Sequence, residues 1–106
     1  MYKVALVCQH GASTGMFAAK LNQAAKNKSI DLEAKAYPDS QIDEIISNHD
    51  ILLLGPQVGF KKDIIVKQYS SYAKKIYVID SLDFGMMNGE KVLGKIIEIM
   101  EANKYE

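Results

Sequence analysis

Lys3-Val-Ala-Leu-Val-Cys8-Gln-His-Gly-Ala-Ser-Thr-Gly15 decides how the rest of the chain is read. Its first six residues form a short apolar run that stops at a Gly-containing loop, as expected of a buried parallel strand. Ser13 or Thr14 is expected to N-cap a helix running to about Lys28, with Phe17, Leu21 and Ala25 near helical spacing. A strand, a glycine-bearing turn and a helix in that order open an α/β unit.

The same alternation continues to the far end. Asp31 to Tyr37 reads as a weaker strand in which Leu32, Ala34 and Ala36 alternate with charged neighbours, and Pro38 ends it. Ser40 followed by Asp43 resembles a capping box for a short helix around Ile42, Ile45 and Ile46. Ile51-Leu-Leu-Leu-Gly55 is the cleanest buried strand, and Pro56 terminates it. Lys61 to Tyr72 reads as a helix with Ile65, Tyr69 and Tyr72 on one face. Lys75 to Ile79 is the fourth strand, Asp80 to Asn88 a loop, and the final helix presents Val92, Leu93, Ile96, Ile97 and Met100. Four strands alternating with helices predict an α/β, Rossmann-like fold, a four-stranded parallel open sheet with helices on both faces.

Composition limits what such a chain does. At 106 residues, with no repeat or linker, residues 1–106 are expected to form a single domain. Apolar residues are 48% and charged residues 25%, with 13 basic against 13 acidic side chains, so there is no electrostatic footprint for nucleic acid. All the basic residues are lysine, and the chain has no arginine. One cysteine excludes an internal disulfide and a multi-cysteine metal site. Met1-Tyr2-Lys3 lacks the layout of a signal peptide. Ile51 to Leu54, the longest aliphatic run, falls far short of the ~20 residues of a membrane helix. A reduced, cytoplasmic setting is expected, and Met1 with the closing Glu101–Glu106 suggests a complete small protein.

Ligands of open α/β sheets bind at the carboxyl ends of the strands, where Cys8–Gly15, Gly55–Gly59 and Asp80–Asn88 should meet. The first segment can curl backbone N–H groups into an anion nest, with the positive end of a helix behind it. Gly11 and Gly15 supply backbone freedom, and the Ser13 and Thr14 hydroxyls add donors. A phosphoryl group suits such a cradle, and a thiolate at its centre is a nucleophile. Taken alone, Cys8 reads first as a small buried hydrophobe at a strand end; the loop behind it reverses that reading in favour of chemistry. His10 reads as a loop residue tuning the field or, less simply, as a second phosphoryl acceptor. Asp80 and Asp83 read as turn and helix-start residues or as an acid–base pair. His49 is a polar turn residue, Met86-Met87 a partner contact or loop packing, and Lys61-Lys62 and Lys74-Lys75 solvated faces.

A strand-end Cys before a phosphate loop also resembles low-molecular-weight tyrosine phosphatases, which require Cys-x5-Arg for bidentate clamping of the transferring group. Thr14 holds the Arg position here. Arsenate reductases on that scaffold need further cysteines. A cradle of neutral donors favours holding a phosphoryl group over hydrolysing it.

Three segments carry a more specific resemblance: Cys8-Gln-His-Gly-Ala-Ser-Thr14, Leu52-Leu-Leu-Gly-Pro-Gln57, and Val78-Ile-Asp-Ser-Leu-Asp-Phe-Gly85 continuing to Asn88-Gly89. Together they make the chain similar to enzyme IIB of the lactose/cellobiose family of the bacterial sugar phosphotransferase system, nearest its cellobiose/chitobiose-type members. The family loop usually reads Cys-Ser-x-Gly-Met-Ser-Thr-Ser; this chain has Ala12 for Met and Gly15 for the last Ser. The resemblance implies a phosphotransferase relay in which Cys8 takes a phosphoryl group from a phosphohistidine on enzyme IIA. Cys8 then passes it to a sugar, such as cellobiose or lactose, imported through the membrane enzyme IIC, at whose cytoplasmic side the chain docks. It further implies that Gln9, His10, Gly11, Ala12, Ser13, Thr14 and Gly15 cradle the phosphate, that Pro56, Gln57, Asp80 and Ser81 border the site, and that no metal or organic cofactor is needed. A phosphatase-like hydrolase and a non-catalytic anion-binding regulatory module are the alternatives.

Overall fold

The computed structural model describes residues 1–8 and 11–104, the side chains of 11–13 and 103–104 excepted. Its strands are β1 (Tyr2–Cys8), β2 (Leu32–Pro38), β3 (Ile51–Leu54) and β4 (Ile76–Val78). Its α-helices are α1 (Gly11–Asn27), α2 (Ile42–Ile45), α3 (Lys62–Gln68), α4 (Ser81–Gly85) and α5 (Gly89–Lys104). The strands form one sheet in the order β2-β1-β3-β4, and every pairing is parallel.

Side-chain parity distributes the core. Successive residues of a strand point to opposite faces. Val4, Leu6, Ile51 and Leu53 therefore meet Phe17, Leu21, Ala25, Leu93 and Ile96 of α1 and α5 on one face. Ala5, Val7, Leu52 and Leu54 meet Ile42, Ile45, Val58 and Ile65 on the other. Both faces of β1 and β3 are buried, which is why these strands read as unbroken apolar runs. Each large aliphatic side chain removed from water in this way contributes roughly 1.5–3 kcal/mol before the entropy of ordering is subtracted.

Several element boundaries differ from the expectations. The first helix begins at Gly11, so Ser13 and Thr14 lie in its first turn rather than at its cap. No Ser40–Asp43 capping box forms: a 3₁₀ turn over Asp39–Gln41 leads into α2, and neither is capped by a side chain. The helix expected over Lys61–Tyr72 is one α-helical segment flanked by 3₁₀ stretches at Pro56–Lys61 and Ser70–Lys75. Tyr69 ends α3 because its backbone, at φ −118° and ψ 50°, leaves the helical region. The expected loop from Asp80 to Asn88 holds α4, whose N-terminus is capped by Asp80 Oδ1 accepting from the N–H groups of Leu82 and Asp83.

Two lysines read as solvated are partnered. Lys61 Nζ pairs with Asp39 Oδ2 at 2.9 Å, and Lys75 Nζ donates to the His49 carbonyl at 2.8 Å and sits over the Tyr72 ring. Partial burial holds the Lys75 amine below its usual range, against the opposing pull of Asp50. His49 behaves as a structural turn residue, with Nδ1 at 2.8 Å from the Ile45 carbonyl and its ring edge-on to Tyr37. Among the described residues no helix is long and apolar enough to cross a membrane.

Candidate functional site

Strand order locates the site. The chain leaves β1 toward β2 on one side and returns to place β3 on the other, so the direction of winding reverses between β1 and β3. In open α/β sheets the ligand crevice lies outside the carboxyl ends of the strands at such a reversal. The residues there are Cys8, the last of β1, and Gly55, directly after β3. The Gly55 N–H donates to the Val7 carbonyl at 2.8 Å, extending the ladder and holding the two strand ends together.

Cys8 continues the parity of Val4 and Leu6 and faces α1. Its Sγ lies 2.7 Å from Oγ1 of Thr14, in the first turn of that helix. Cys8 is 2% exposed and Thr14 is fully buried. The N–H groups of a helix's first turn have no partners within the helix and point along its axis. Here they belong to Gly11, Ala12 and Ser13, at the positive end of a 17-residue helix that begins three positions after Cys8. Gly15 lies one turn further in, and no described glycine has a positive φ. Gln9 and His10 lie outside the described residues.

The third loop begins at Pro56 and Gln57, which open the 3₁₀ stretch after Gly55. A Cβ built on Gly55 would come within 2.8 Å of Gln57 Oε1 and 3.5 Å of Cys8 Cβ, so the missing side chain is replaced by the folded-back Gln57 amide. Gly55 falls in a segment expected at the strand ends, although no role of its own was expected for it. Its signal, a glycine between an aliphatic strand and a proline, shows a turn but not what the turn approaches.

Asp80 and Ser81 open α4. Pro56, Asp80 and Ser81 line one side of a cleft of about 550 Å³ between β4 and α5 that also takes in Tyr77, Asp83 and Lys95. Cys8 is not among the described residues that line this cleft. Asp83 is turned inward: its side chain is 4% exposed and is held by Lys91 Nζ at 3.0 Å and Lys95 Nζ at 3.4 Å. The Lys91 hydrogen bond holds the Asp83 carboxyl below the usual carboxylate range; burial opposes the shift, and Lys95 adds to it. Stacking of Phe84 on Phe17, with centroids 5.2 Å apart, completes the attachment of α4 to the α1–α5 face. Asp83 thus ties α4 to α5 through the two lysines.

The arrangement is a cysteine sulfur at a strand end, a buried hydroxyl on it, and a helix N-terminus beside it. Comparisons with known proteins place this geometry. The family described as "PTS system, Lactose/Cellobiose specific IIB subunit" matches residues 3–95. A cellobiose-specific EIIB component of Lactococcus lactis subsp. lactis is 35% identical over 102 residues, covering 92% of this chain and 94% of that protein. A galactose-specific EIIB component of Lactococcus lactis subsp. cremoris is likewise 35% identical over the same shares. Among solved structures, the cellobiose-specific IIB component of Borrelia burgdorferi superposes with a TM-score of 0.79 at 32% identity, over 95% of this chain and 93% of that one. A low-molecular-weight protein tyrosine phosphatase from Bacillus subtilis shares the fold alone, with a TM-score of 0.64 at 13% identity over 96% and 99% of the two chains. With its parallel sheet, strand-end cysteine and near full-length match, the chain belongs to the lactose/cellobiose-specific IIB subunit family of the phosphoenolpyruvate:carbohydrate phosphotransferase system (PTS).

Proposed function

We propose that this chain, as one domain over residues 1–106, is a phosphoryl carrier whose carrying atom is Cys8 Sγ. Supporting this reading above all is the placement of that sulfur: at the winding reversal of the sheet, beside a helix N-terminus, in a chain without arginine. The donor is a phosphohistidine on enzyme IIA, and the acceptor is a sugar hydroxyl presented by the membrane component IIC. Residues 9–15 hold the phosphoryl oxygens, with Pro56, Gln57, Asp80 and Ser81 at the rim. The carrier acts at the cytoplasmic face of the transporter and uses no metal or organic cofactor. A β-linked disaccharide such as cellobiose, or lactose, fits the family, although relatives of equal identity are named for cellobiose and for galactose.

Loading forms an S–P bond as the N–P bond breaks, and the imidazole leaves neutral with a proton on its other nitrogen. Unloading forms an O–P bond as the S–P bond breaks, and the sugar hydroxyl proton passes to solvent. Each oxygen of the phosphoryl group needs donors that are already in place, the role of backbone N–H groups at a helix start. Incubation with phosphorylated IIA should place one phosphoryl group on the chain, and Cys8→Ser should abolish the transfer while leaving the fold intact. Continued labelling of Cys8→Ser, at His10 for example, would sink the reading.

A phosphatase-like hydrolase is favoured by one observation, the fold shared with tyrosine phosphatases. Thr14 in place of the clamping arginine argues against it. Cys8-dependent turnover of p-nitrophenyl phosphate above background would reverse the order of the two readings.

A further inference from the structure

Among the described residues, Thr14 is the fully buried polar side chain beside the Cys8 sulfur, its hydroxyl 2.7 Å from Sγ. A hydroxyl donates well and a thiol weakly, so the strong form of this contact is O–H donating to a charged sulfur. Hydrogen bonds to an ionised partner are shorter and about twice as strong as neutral ones. A hydroxyl carries a single hydrogen, and one given to sulfur is withheld from a phosphoryl oxygen.

We propose that Thr14 is a catalytic residue whose hydroxyl donates to the Cys8 sulfur and thereby sets how readily the loaded carrier gives its phosphoryl group away. This deepens the carrier reading and rests on it. When the S–P bond forms, the sulfur's charge goes into the bond, and the sulfur becomes a poor acceptor. When the S–P bond breaks, sulfur leaves with the electron pair, and the Thr14 hydroxyl again meets a thiolate. Thr14 keeps its own proton throughout. Its hydrogen bond is therefore strong to the sulfur that attacks or leaves as a thiolate and weak to the sulfur that carries the phosphoryl group. That difference opposes loading from IIA and favours unloading onto sugar.

Measuring the ratio of phosphorylated chain to phosphorylated IIA at equilibrium tests this directly. Thr14→Val, close in shape but without the donor, should shift the equilibrium toward phosphocysteine by roughly tenfold or more, as expected for a hydrogen bond to a charged group. Thr14→Ser should restore the ratio of the unsubstituted chain. A purely structural role for Thr14 would lower stability without raising the loaded fraction. An unchanged ratio in a Thr14→Val chain with a normal melting curve would overturn the proposal. Thr14→Ala, which removes the donor without substituting a methyl for it, gives the same reading if the valine variant does not fold. Failure of the unsubstituted chain to take label from phosphorylated IIA would remove the carrier reading and this one with it. Normal labelling without a shift would remove this one alone.

Discussion

The Cβ of Cys8 stands 3.5 Å from the point where a side chain on Gly55 would begin. The ends of β1 and β3 thus meet across a glycine, and the Gln57 amide occupies the space a larger residue would claim. Gly55 has φ −62° and ψ 152°, a conformation open to any residue, so the restriction is one of space and not of backbone strain. Gly55→Ala needs only the exposed Gln57 side chain to swing away, and should change stability by less than about 1 kcal/mol while slowing phosphoryl transfer. Gly55→Val drives a branch toward Cys8 and the Val7 carbonyl and should cost about 1–3 kcal/mol. Melting curves and loading rates for both variants check this; an unaltered rate in Gly55→Ala would show that Gln57 has no part in the site.

Glycines of α5 make a matched pair with opposite expected signs. A Cβ on Gly89 would lie 2.8 Å from the Lys20 carbonyl oxygen and 2.9 Å from its carbon, both backbone atoms of α1 that have little room to yield. Gly94, in the interior of the same helix, meets nothing within 4 Å. Gly94→Ala should therefore stabilise the protein by about 0.5–1 kcal/mol through helix propensity. Gly89→Ala should destabilise it by about 1–3 kcal/mol, because the clash exceeds that gain. Chemical denaturation of the two variants decides the matter, and equal signs would show that α1 and α5 do not approach as described.

Much of this architecture was legible because buried parallel strands carry their faces in plain alternation. Val4 and Leu6 go to one side, Ala5 and Val7 to the other, and the apolar positions of α1 and α5 follow from spacing alone. Shorter elements were not legible. Ser81–Gly85 is too brief to show a helical period, although Asp80 and Asp83 stand at capping distance from each other. The spacing of Ile65, Tyr69 and Tyr72 suits one long helix, yet the chain turns at Tyr69, whose hydroxyl donates to Asp43 across the α2–α3 face. At the site, the position of Cys8 was readable from its strand. The Gly55 segment was expected nearby, but its close approach to Cys8 was not readable, since that depends on which strand lies beside β1. A Thr after a Ser before a helix reads as a cap, and only packing shows that Thr14 turns to sulfur instead.

The Tyr69–Asp43 hydrogen bond should be visible in an alkaline titration. That bond, aided by burial and by the negative charge of Asp43, pushes the Tyr69 phenol from 10.0 up to about 12. A folded value above the unfolded one means that the contribution to stability is complete below about pH 10 and is lost as pH rises through about 12. Absorbance at alkaline pH should show a late tyrosine ionisation, and Tyr69→Phe should remove that step. A titration curve of the same shape in the variant would show that the bond does not persist in solution.

Asp83 provides the acid counterpart, and its effect reaches the rim of the site. Lys91 and Lys95 of α5 hold its carboxylate, and through it α4, whose N-cap Asp80 and first residue Ser81 are the ones proposed for that rim. The carboxyl is held below its usual range chiefly by Lys91, so the folded state binds that proton less readily than the unfolded chain does. Stability from this group is present above the unfolded value of about 4 and is lost as pH falls through the lower folded value. Asp83→Asn should therefore melt several degrees below the unsubstituted chain near neutral pH, the two curves converging as the medium is acidified. Phosphoryl transfer should slow as well if α4 is no longer held, whereas Asp83→Glu, which keeps the charge, should recover part of both losses. Melting temperatures that differ by the same amount at every pH would mean that packing, not the ion pairs, anchors α4.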